Sequence, residues 1–504
     1  MAYLLSIDIG TSSVKTLLLA ADSGRTLATA GREYPIAQPR PGYAEQNPDD
    51  WWEAAVYTVR AALSEAGIDP AGVRGIGFSG QMHGTVCLDR AARPVRPAII
   101  WADTRSSAQV DALRARADPE ALAAHAPGPP AAGFMGPTLM WLTAHEPDAI
   151  AATHRVILPK DYVRLRLTGE VGTEVSDAAS TWLLDIASGQ WSDWLLDLSG
   201  LERRYLPPVA ASADVVGALR PAAADALGLP AGIPVVAGCA DQPAQALGYG
   251  LFDAGTALAT IGTGGQVLYP LRAARVDPQM RFHVFNHALR DRWYALAAIL
   301  AAGLSLRWLR DLLGLRDRPD AYAYLSEQAA QVPPGAEGVV FLPHLAGERT
   351  PHMDPAASGV FVGLRLRHGV GHLARAVMEG VTFAMAECLA LALDLAGGAE
   401  AGVQVIASGG AAASPVWRQI QADIYNTPLL LAAGENHACV GAALLAGVGC
   451  GVYASIEEAC ALLPPSTVGV MPDPARAAFY AERRALYRAL YARLKDDMHR
   501  LSAG

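Results

Sequence analysis

The stretch Tyr3-Leu4-Leu5-Ser6-Ile7-Asp8-Ile9-Gly10-Thr11-Ser12-Ser13-Val14 decides the fold. Tyr3 to Ile9 reads as a strand, Gly10 to Ser13 as a tight turn, and Val14 to Leu19 as the returning strand. A carboxylate ending a strand, followed by glycine and hydroxyl residues, puts backbone N–H groups and hydroxyls on the rim of a hairpin. Such a rim can cradle phosphate oxygens, and Asp8 can hold Mg²⁺ through water. The plainer alternative is a hairpin whose Asp caps its own turn.

The same pattern starts again near the middle. Ile233 to Ala237 is a strand ending at Gly238-Cys239-Ala240-Asp241; further on, Thr256 to Ile261 enters Gly262-Thr263-Gly264-Gly265 and leaves through Gln266-Val267-Leu268. A third glycine turn, Ser408-Gly409-Gly410-Ala411, follows Val405 to Ala407 and leads into a helix over Ser414 to Tyr425. Glycines before a helix let a flat base or a phosphate approach the backbone. Three such turns across one chain point to a nucleotide.

Strands and helices alternate elsewhere, which predicts an α/β protein. Asp49 to Ala66 reads as a helix, with Asp49 or Asp50 as N-cap and Gly67 just past its end. Phe479, Leu486, Leu490 and Leu494 sit at helical spacing within Pro474 to Leu494, predicting a docked amphipathic helix. A chain of 504 residues exceeds the ~250–300 at which one core stops growing. Two domains are expected, 1–246 and 247–504.

Composition excludes several classes. The net charge is −9, only three lysines occur (Lys15, Lys160, Lys495), and no basic run offers a phosphate-neutralising patch for nucleic acid. The six cysteines are scattered without a C-x-x-C pair, which fits free thiols in a reducing compartment. Asp8 interrupts the first apolar stretch, no basic n-region precedes it, and the longest apolar runs fall short of a membrane span. The sequence reads as cytoplasmic, with neither nucleic acid nor membrane as partner. No Gly-Lys dipeptide exists for a Walker A loop, and Gly75-Ile76-Gly77-Phe78-Ser79-Gly80 matches G-x-G-x-x-G inside a strand, where the dinucleotide reading fails.

The remaining polar constellations are candidates for chemistry. Gln81, Met82 and His83 form a polar island between two strands, placed to bond sugar hydroxyls. Asp241, with Gln242 beside it, is either a helix cap or a general base that takes a proton from an attacking hydroxyl. Trp101 near Asp103 can line a polar pocket. The loop Gly347-Glu348-Arg349-Thr350-Pro351-His352 carries too many polar groups for a simple connection.

These stretches resemble the FGGY carbohydrate kinases nearly end to end, and the xylulokinase subgroup most closely. The resemblance rests on Asp8-Ile9-Gly10-Thr11-Ser12 with Lys15, on Gly80-Gln81-Met82-His83-Gly84, and on Leu158-Pro159-Lys160-Asp161-Tyr162. Ser176-Asp177-Ala178-Ala179 and Gly347 to His352 extend it. It implies two actin-like, ribonuclease-H-like domains flanking a deep catalytic cleft, with ATP mainly against the second domain and a sugar mainly against the first.

By that resemblance Asp241 is the catalytic base, and Asp8 positions Mg²⁺ and the transferring phosphoryl group, the metal lying near both carboxylates. Gln81, Met82, His83, Trp101, Asp103 and Gln242 read the sugar. Thr11, Ser12, Lys15, Thr263 and Gly264 face the phosphates, while Gly303, Gly409, Gly410 and Ser414 form the nucleotide pocket. A homodimer rests on the resemblance alone. The expected substrate is a ketopentose, D-xylulose first; another ketose or a polyol (ribulose, L-xylulose, glycerol) is the alternative, and a non-catalytic nucleotide-binding module the rival. The sequence departs from the subgroup at Gln242 (usually Asn), Ala102 (usually Asn) and Thr138 (commonly Lys). The first two lie where the sugar would be read.

Overall fold

A computed structural model describes residues 1–398 and 402–502. Tyr3–Ile9 (β1) and Ser13–Ala20 (β2) form the expected hairpin, and Thr26–Glu33 (β3) extends it antiparallel. Val73–Gly80 (β4) pairs parallel to β1 on its other side. Val215–Ala218 (β5), Pro234–Val236 (β6) and Cys239–Ala240 (β7) complete a seven-stranded sheet, ordered β5-β6-β4-β1-β2-β3 with β7 on the end of β4.

The second sheet repeats the plan. Its strands are Thr256–Ile261 (β8), Gly265–Leu271 (β9), His283–Asn286 (β10), Trp293–Ile299 (β11), Gln404–Ser408 (β12), Leu429–Leu431 (β13) and Thr467–Val470 (β14). Their order is β10-β11-β9-β8-β12-β13-β14. From β3 to β5 the pairings run antiparallel, antiparallel, parallel, parallel, antiparallel, and from β11 to β14 they run the same way. These are two actin-like cores.

The helices that matter for the site are Pro48–Ala66 (α1), Pro159–Thr168 (α2), Val175–Ala179 (α3), Asp241–Gly248 (α4) and Gly303–Leu312 (α5). Val370–Ala396 (α6), Pro415–Tyr425 (α7), His437–Gly449 (α8) and Pro474–Ser502 (α9) follow. α1 covers one face of the first sheet over β2 and β3. The opposite face, over β1 and β4, is covered by α4 together with α8 from far down the chain. Glycines permit that close packing: a Cβ on Gly77 of β4 would strike the Ala442 carbonyl of α8, and one on Gly441 of α8 would strike the Ala244 carbonyl of α4. The G-x-G-x-x-G match thus serves helix-on-sheet contact.

Three local expectations are corrected. Asn47 caps α1, accepting from the Asp49 N–H, with Pro48 at the first helical position; Asp49 and Asp50 lie inside the first turn, while Gly67 ends the helix in left-handed backbone as expected. Phe479, Leu490 and Leu494 of α9 pack against the core as expected, but Leu486 is exposed, and the buried stripe is Tyr480, Tyr487, Tyr491 and Met498. Tyrosine wins there because Tyr480 and Tyr491 hydroxyls donate to the buried Glu379 (2.6 Å) and Asp354 (2.7 Å) carboxylates. Finally, α6 is long and apolar enough to cross a membrane, yet 78% of its most apolar window is buried within the protein, where it packs on the second sheet. Its glutamates and arginine break the apolar run, which hid its length.

Gly77→Ala and Gly441→Ala should each destabilise by about 1–3 kcal/mol through overpacking. Thermal or denaturant unfolding of the two variants checks this, and an unchanged midpoint would remove close approach as the reason for glycine.

Candidate active site

The strand ends of the first sheet bring the two key carboxylates together. β1, β4 and β7 run parallel, with Asp8 opposite Ser79 and Ser79 opposite Cys239. Asp8 therefore ends one flank of β4, and Asp241 begins α4 one residue beyond β7 on the other flank. The carboxyl ends of parallel strands are where α/β proteins bind ligands. Ala240 is the residue that precedes the helix, so Asp241 is free of the capping role. Burial, then the like charge of Asp8, pushes Asp241 up to about 7, against the pull of the Gln242 amides. Burial also raises Asp8, against nearby Ser79 and Lys15.

Three cavities surround this pair. One of about 740 Å³ is lined by Thr263, Gly303, Gly410, Ser414 and Trp417, all from the second half. Gly303 packs so tightly on the Gly262–Thr263 turn that a Cβ would strike the Gly262 carbonyl. A second, of about 680 Å³, holds Asp8, Lys15, Asp241, Gln242 and Gly409. A third, of about 210 Å³, is lined by Thr11, Met82, His83, Trp101, Asp241 and Gln242, with Gln266, Arg281, His283, Phe285, Arg349 and Thr350 facing them. Asp241 and Gln242 line both of the last two cavities.

His83 is fixed tightly. Its backbone is left-handed (φ 72°), its N–H donates to Ser180 Oγ (3.1 Å), and its ring stacks on Phe134 at 3.8 Å. Nδ1 lies 2.7 Å from the Ser180 carbonyl, and burial pulls the ring down to about 3. The imidazole is neutral, donates through Nδ1, and offers Nε2 as an acceptor.

Other predicted residues fall outside the cavities and act as braces. Gln81 is buried and donates to Gln46 Oε1 (2.9 Å); Gln46 donates in turn to the Thr11 carbonyl (2.7 Å). The Asp103 carboxylate is buried, accepting from Ala44 N–H (2.6 Å) and pairing with Arg105 (2.8 Å). Trp101, by contrast, is 44% exposed and donates from Nε1 to Thr11 Oγ1 (2.9 Å). Ser12 is exposed beside the turn and lines none of the three cavities, and neither does Gly264, tucked against the Ile299 carbonyl. Sequence reasoning did not assign Phe134, Gln266, Arg281, His283 or Phe285; only the polar loop at Arg349 carried a signal.

A buried ion cluster carries the whole arrangement. Lys160 of α2 is fully buried, with Nζ 2.9 Å from Asp161, 3.1 Å from Asp177 and 3.3 Å from Glu174. Burial, with Asp161 and Glu174 as like charges, pushes Asp177 up to about 8 against the pull of Lys160. Glu174 caps α3 through the N–H groups of Ser176 (2.8 Å) and Asp177 (2.9 Å). Ser176 Oγ then accepts the Ala240 N–H (3.0 Å), next to Asp241, and Ser180 at the other end of α3 holds His83. One short helix therefore positions both the carboxylate and the histidine.

A roomy cleft and a small polar cavity that share one carboxylate are what an actin-like kinase of small molecules requires. Residues 3–248 match the N-terminal domain of the FGGY family of carbohydrate kinases, and residues 257–450 match its C-terminal domain. The chain belongs to that family. It is 38% identical to a xylulose kinase of Escherichia coli, over 97% of this chain and 99% of the relative, and 35% identical to one of Bacillus subtilis, over 98% of each. The crystal structure of xylulose kinase from Rhodospirillum rubrum superposes with a TM-score of 0.91 at 32% identity, covering 99% of this chain and all of that one.

Lys160→Met should destabilise by about 3–5 kcal/mol, because it strands buried carboxylates without their cation. Urea unfolding measures it; a loss within 0.5 kcal/mol would mean the cluster is not ionised as drawn.

Proposed function

We propose that this chain transfers the γ-phosphoryl group of ATP to O5 of D-xylulose, giving D-xylulose 5-phosphate and ADP. The observation that carries the reading is the position of Asp241, on the common wall of the small polar cavity and the larger cleft. An acceptor hydroxyl in the first and a phosphate chain in the second would meet at that carboxylate. The relatives called xylulose kinase, matched over nearly full length, support the choice of sugar.

In this reading Asp241 accepts the proton of O5 as the oxygen attacks the γ-phosphorus, and ADP leaves on the opposite side. A base raised to about 7 is half-deprotonated near neutrality, yet basic enough to take the proton. His83 accepts a sugar hydroxyl at Nε2, while Met82, Trp101 and Gln242 shape the pocket around it. Thr11, Lys15, Thr263 and Gly409 bind the phosphates, and the pocket at Gly303, Gly410 and Ser414 holds the nucleoside. Ser12 and Gly264 shape the two phosphate turns, whereas Gln81 and Asp103 act on the sugar side only through the residues they brace. Phosphoryl transfer asks mainly for such positioning. Closing the first sheet, with α8 packed on it, against the second sheet's half excludes water as a competing acceptor.

Mg²⁺ suits the donor set. Asp8 Oδ1 is buried without a hydrogen-bond partner among the described residues, and Asp241 shares the cleft. Two carboxylates plus substrate phosphates are the usual protein holding for this ion, and among the described residues no cluster of three or more His, Cys, Asp or Glu offers a fuller cage. When bound, it neutralises charge on the transferring phosphates. All six cysteines are free, in keeping with a reducing, ATP-containing cytoplasm.

A polyol is the second reading. Gln242 lies in the cavity where the xylulokinase pattern has Asn, and a glycerol kinase of Acidovorax ebreus is 35% identical over 92% of this chain. ADP release with MgATP against D-xylulose, L-xylulose, D-ribulose and glycerol decides between them; D-xylulose should be preferred, and a glycerol preference would replace the assignment.

Asp241→Asn should lower kcat by about 10²–10⁴, with ATP and xylulose still bound by calorimetry; near-normal turnover would remove it as base. The base must be ionised, so kcat/KM for xylulose should fall tenfold per pH unit below about 7 and level off above it. A profile flat down to pH 5 would contradict the assignment.

A further inference from the structure

The small cavity carries two guanidinium groups, and they differ in one respect. Arg281 is satisfied: Asp277 accepts from its Nε (2.8 Å) and from an Nη (2.9 Å). Arg349 is not. Its backbone N–H donates to Glu348 Oε1 (2.8 Å), while its guanidinium has no hydrogen bond or ion pair with any described residue. Arginine stays charged in proteins and brings five donors with no acceptor. A charged donor-only group therefore faces the cavity with nothing to receive its protons.

Its place in the cavity follows from the charges it acts on. Arg349 disfavours a proton on both His83 and His283, whereas Asp241 is shifted by burial and Asp8 with no contribution from Arg349. The cation thus sits near the cavity's two histidines, in the cavity that Asp241 also lines. The loop holding it is well anchored. Glu348 accepts from Leu300 N–H (3.3 Å) and pairs with His344 Nδ1 (2.8 Å), and Thr350 Oγ1 donates to the Arg281 carbonyl (2.9 Å).

We propose that Arg349 is a specificity-determining residue that reads the hydroxyketone end of the sugar, its fork donating to the C2 carbonyl oxygen and the C1 oxygen while Asp241 engages O5. This rests on the ketopentose reading above. A carbonyl oxygen only accepts, which matches a group that only donates, and the charge strengthens the bond. A polyol places a hydroxyl there instead, whose own proton must find another partner. The ketose-over-polyol preference therefore resides in a residue of the second half of the chain, outside the Gln-Met-His-Gly segment.

The test compares Arg349→Gln and Arg349→Lys with wild type, using D-xylulose, its C2-reduced polyol xylitol, and MgATP as varied substrates. Arg349→Gln should cut kcat/KM for D-xylulose by roughly 100-fold, change that for xylitol less than about threefold, and leave the KM for MgATP unchanged. Arg349→Lys should recover only part of the loss, because a point charge lacks the planar fork. An equal loss on both acceptors, a raised KM for MgATP, or a ketose preference that survives Arg349→Gln would overturn the assignment of Arg349 alone. A wild-type enzyme that prefers xylitol or glycerol to every ketose would instead overturn the ketopentose reading on which it rests.

Discussion

Two carboxylates held close together at the end of one sheet are the constraint that the rest of the structure serves. Asp8 and Asp241 flank the same strand, each is raised by burial, and the like charge of Asp8 further raises Asp241. Left to itself, such a pair would drive its strand ends apart or draw in water. The framework resists because its hydrogen bonds are directional and buried. Ser176 Oγ grips the Ala240 N–H, Glu174 caps the helix that carries Ser176, and Lys160 binds the carboxylates of that helix and of its own. The cluster sets three carboxylates against Lys160 and Arg164, and burial, with like-charged Asp161 and Glu174, raises Asp177 against the pull of Lys160.

The second requirement is that α4, which begins at Asp241, cannot drift. It is clamped against the sheet by α8, a helix from nearly two hundred residues later. The clamp works through backbone approach at Gly77, Gly441 and Gly248, where any side chain would collide with a carbonyl. Close approach brings many weak dispersion contacts into range, and these fall away quickly with separation. Long-range chain connectivity thus bears directly on the candidate base. Asn436, which precedes the helix, accepts from Lys15 of the hairpin on that sheet (3.2 Å), a second tie between α8 and the first sheet at the edge of the cleft.

Much of this was legible from residue order, and the failures have physical causes. The hairpin at Asp8, the turn at Thr263 and the strand before Asp241 are local patterns of apolar runs broken by glycine, and local patterns survive in the sequence. Side-chain direction does not. Gln81 and Asp103 sit within motifs beside the cavity, yet both turn inward, because a buried Gln46 and a buried Arg105 need partners more than the cavity does. The centre of the docked face of α9 was missed for a related reason: Phe479, Leu490 and Leu494 mark its flank, but the tyrosines at its middle carry hydroxyls that reach buried carboxylates. The role of α8 could not be read at all, since nothing local says that its glycine meets α4.

The walls of the small cavity explain why reading the sugar from the first half alone was incomplete. Met82, His83 and Trp101 supply one side, while Gln266, Arg281, His283 and Arg349 supply the other. A ligand filling such a space contacts both halves at once. Its binding free energy then favours the arrangement in which the halves are close, by as much as it prefers that arrangement and no more. Water, small enough to enter without bridging the walls, gains no comparable preference. Discrimination between a sugar hydroxyl and water thus becomes a property of the closed geometry, although the base itself would accept a proton from either. The split origin of the cavity therefore bears on the proposed chemistry: the half that carries the larger cavity also helps decide which acceptor is worth closing on.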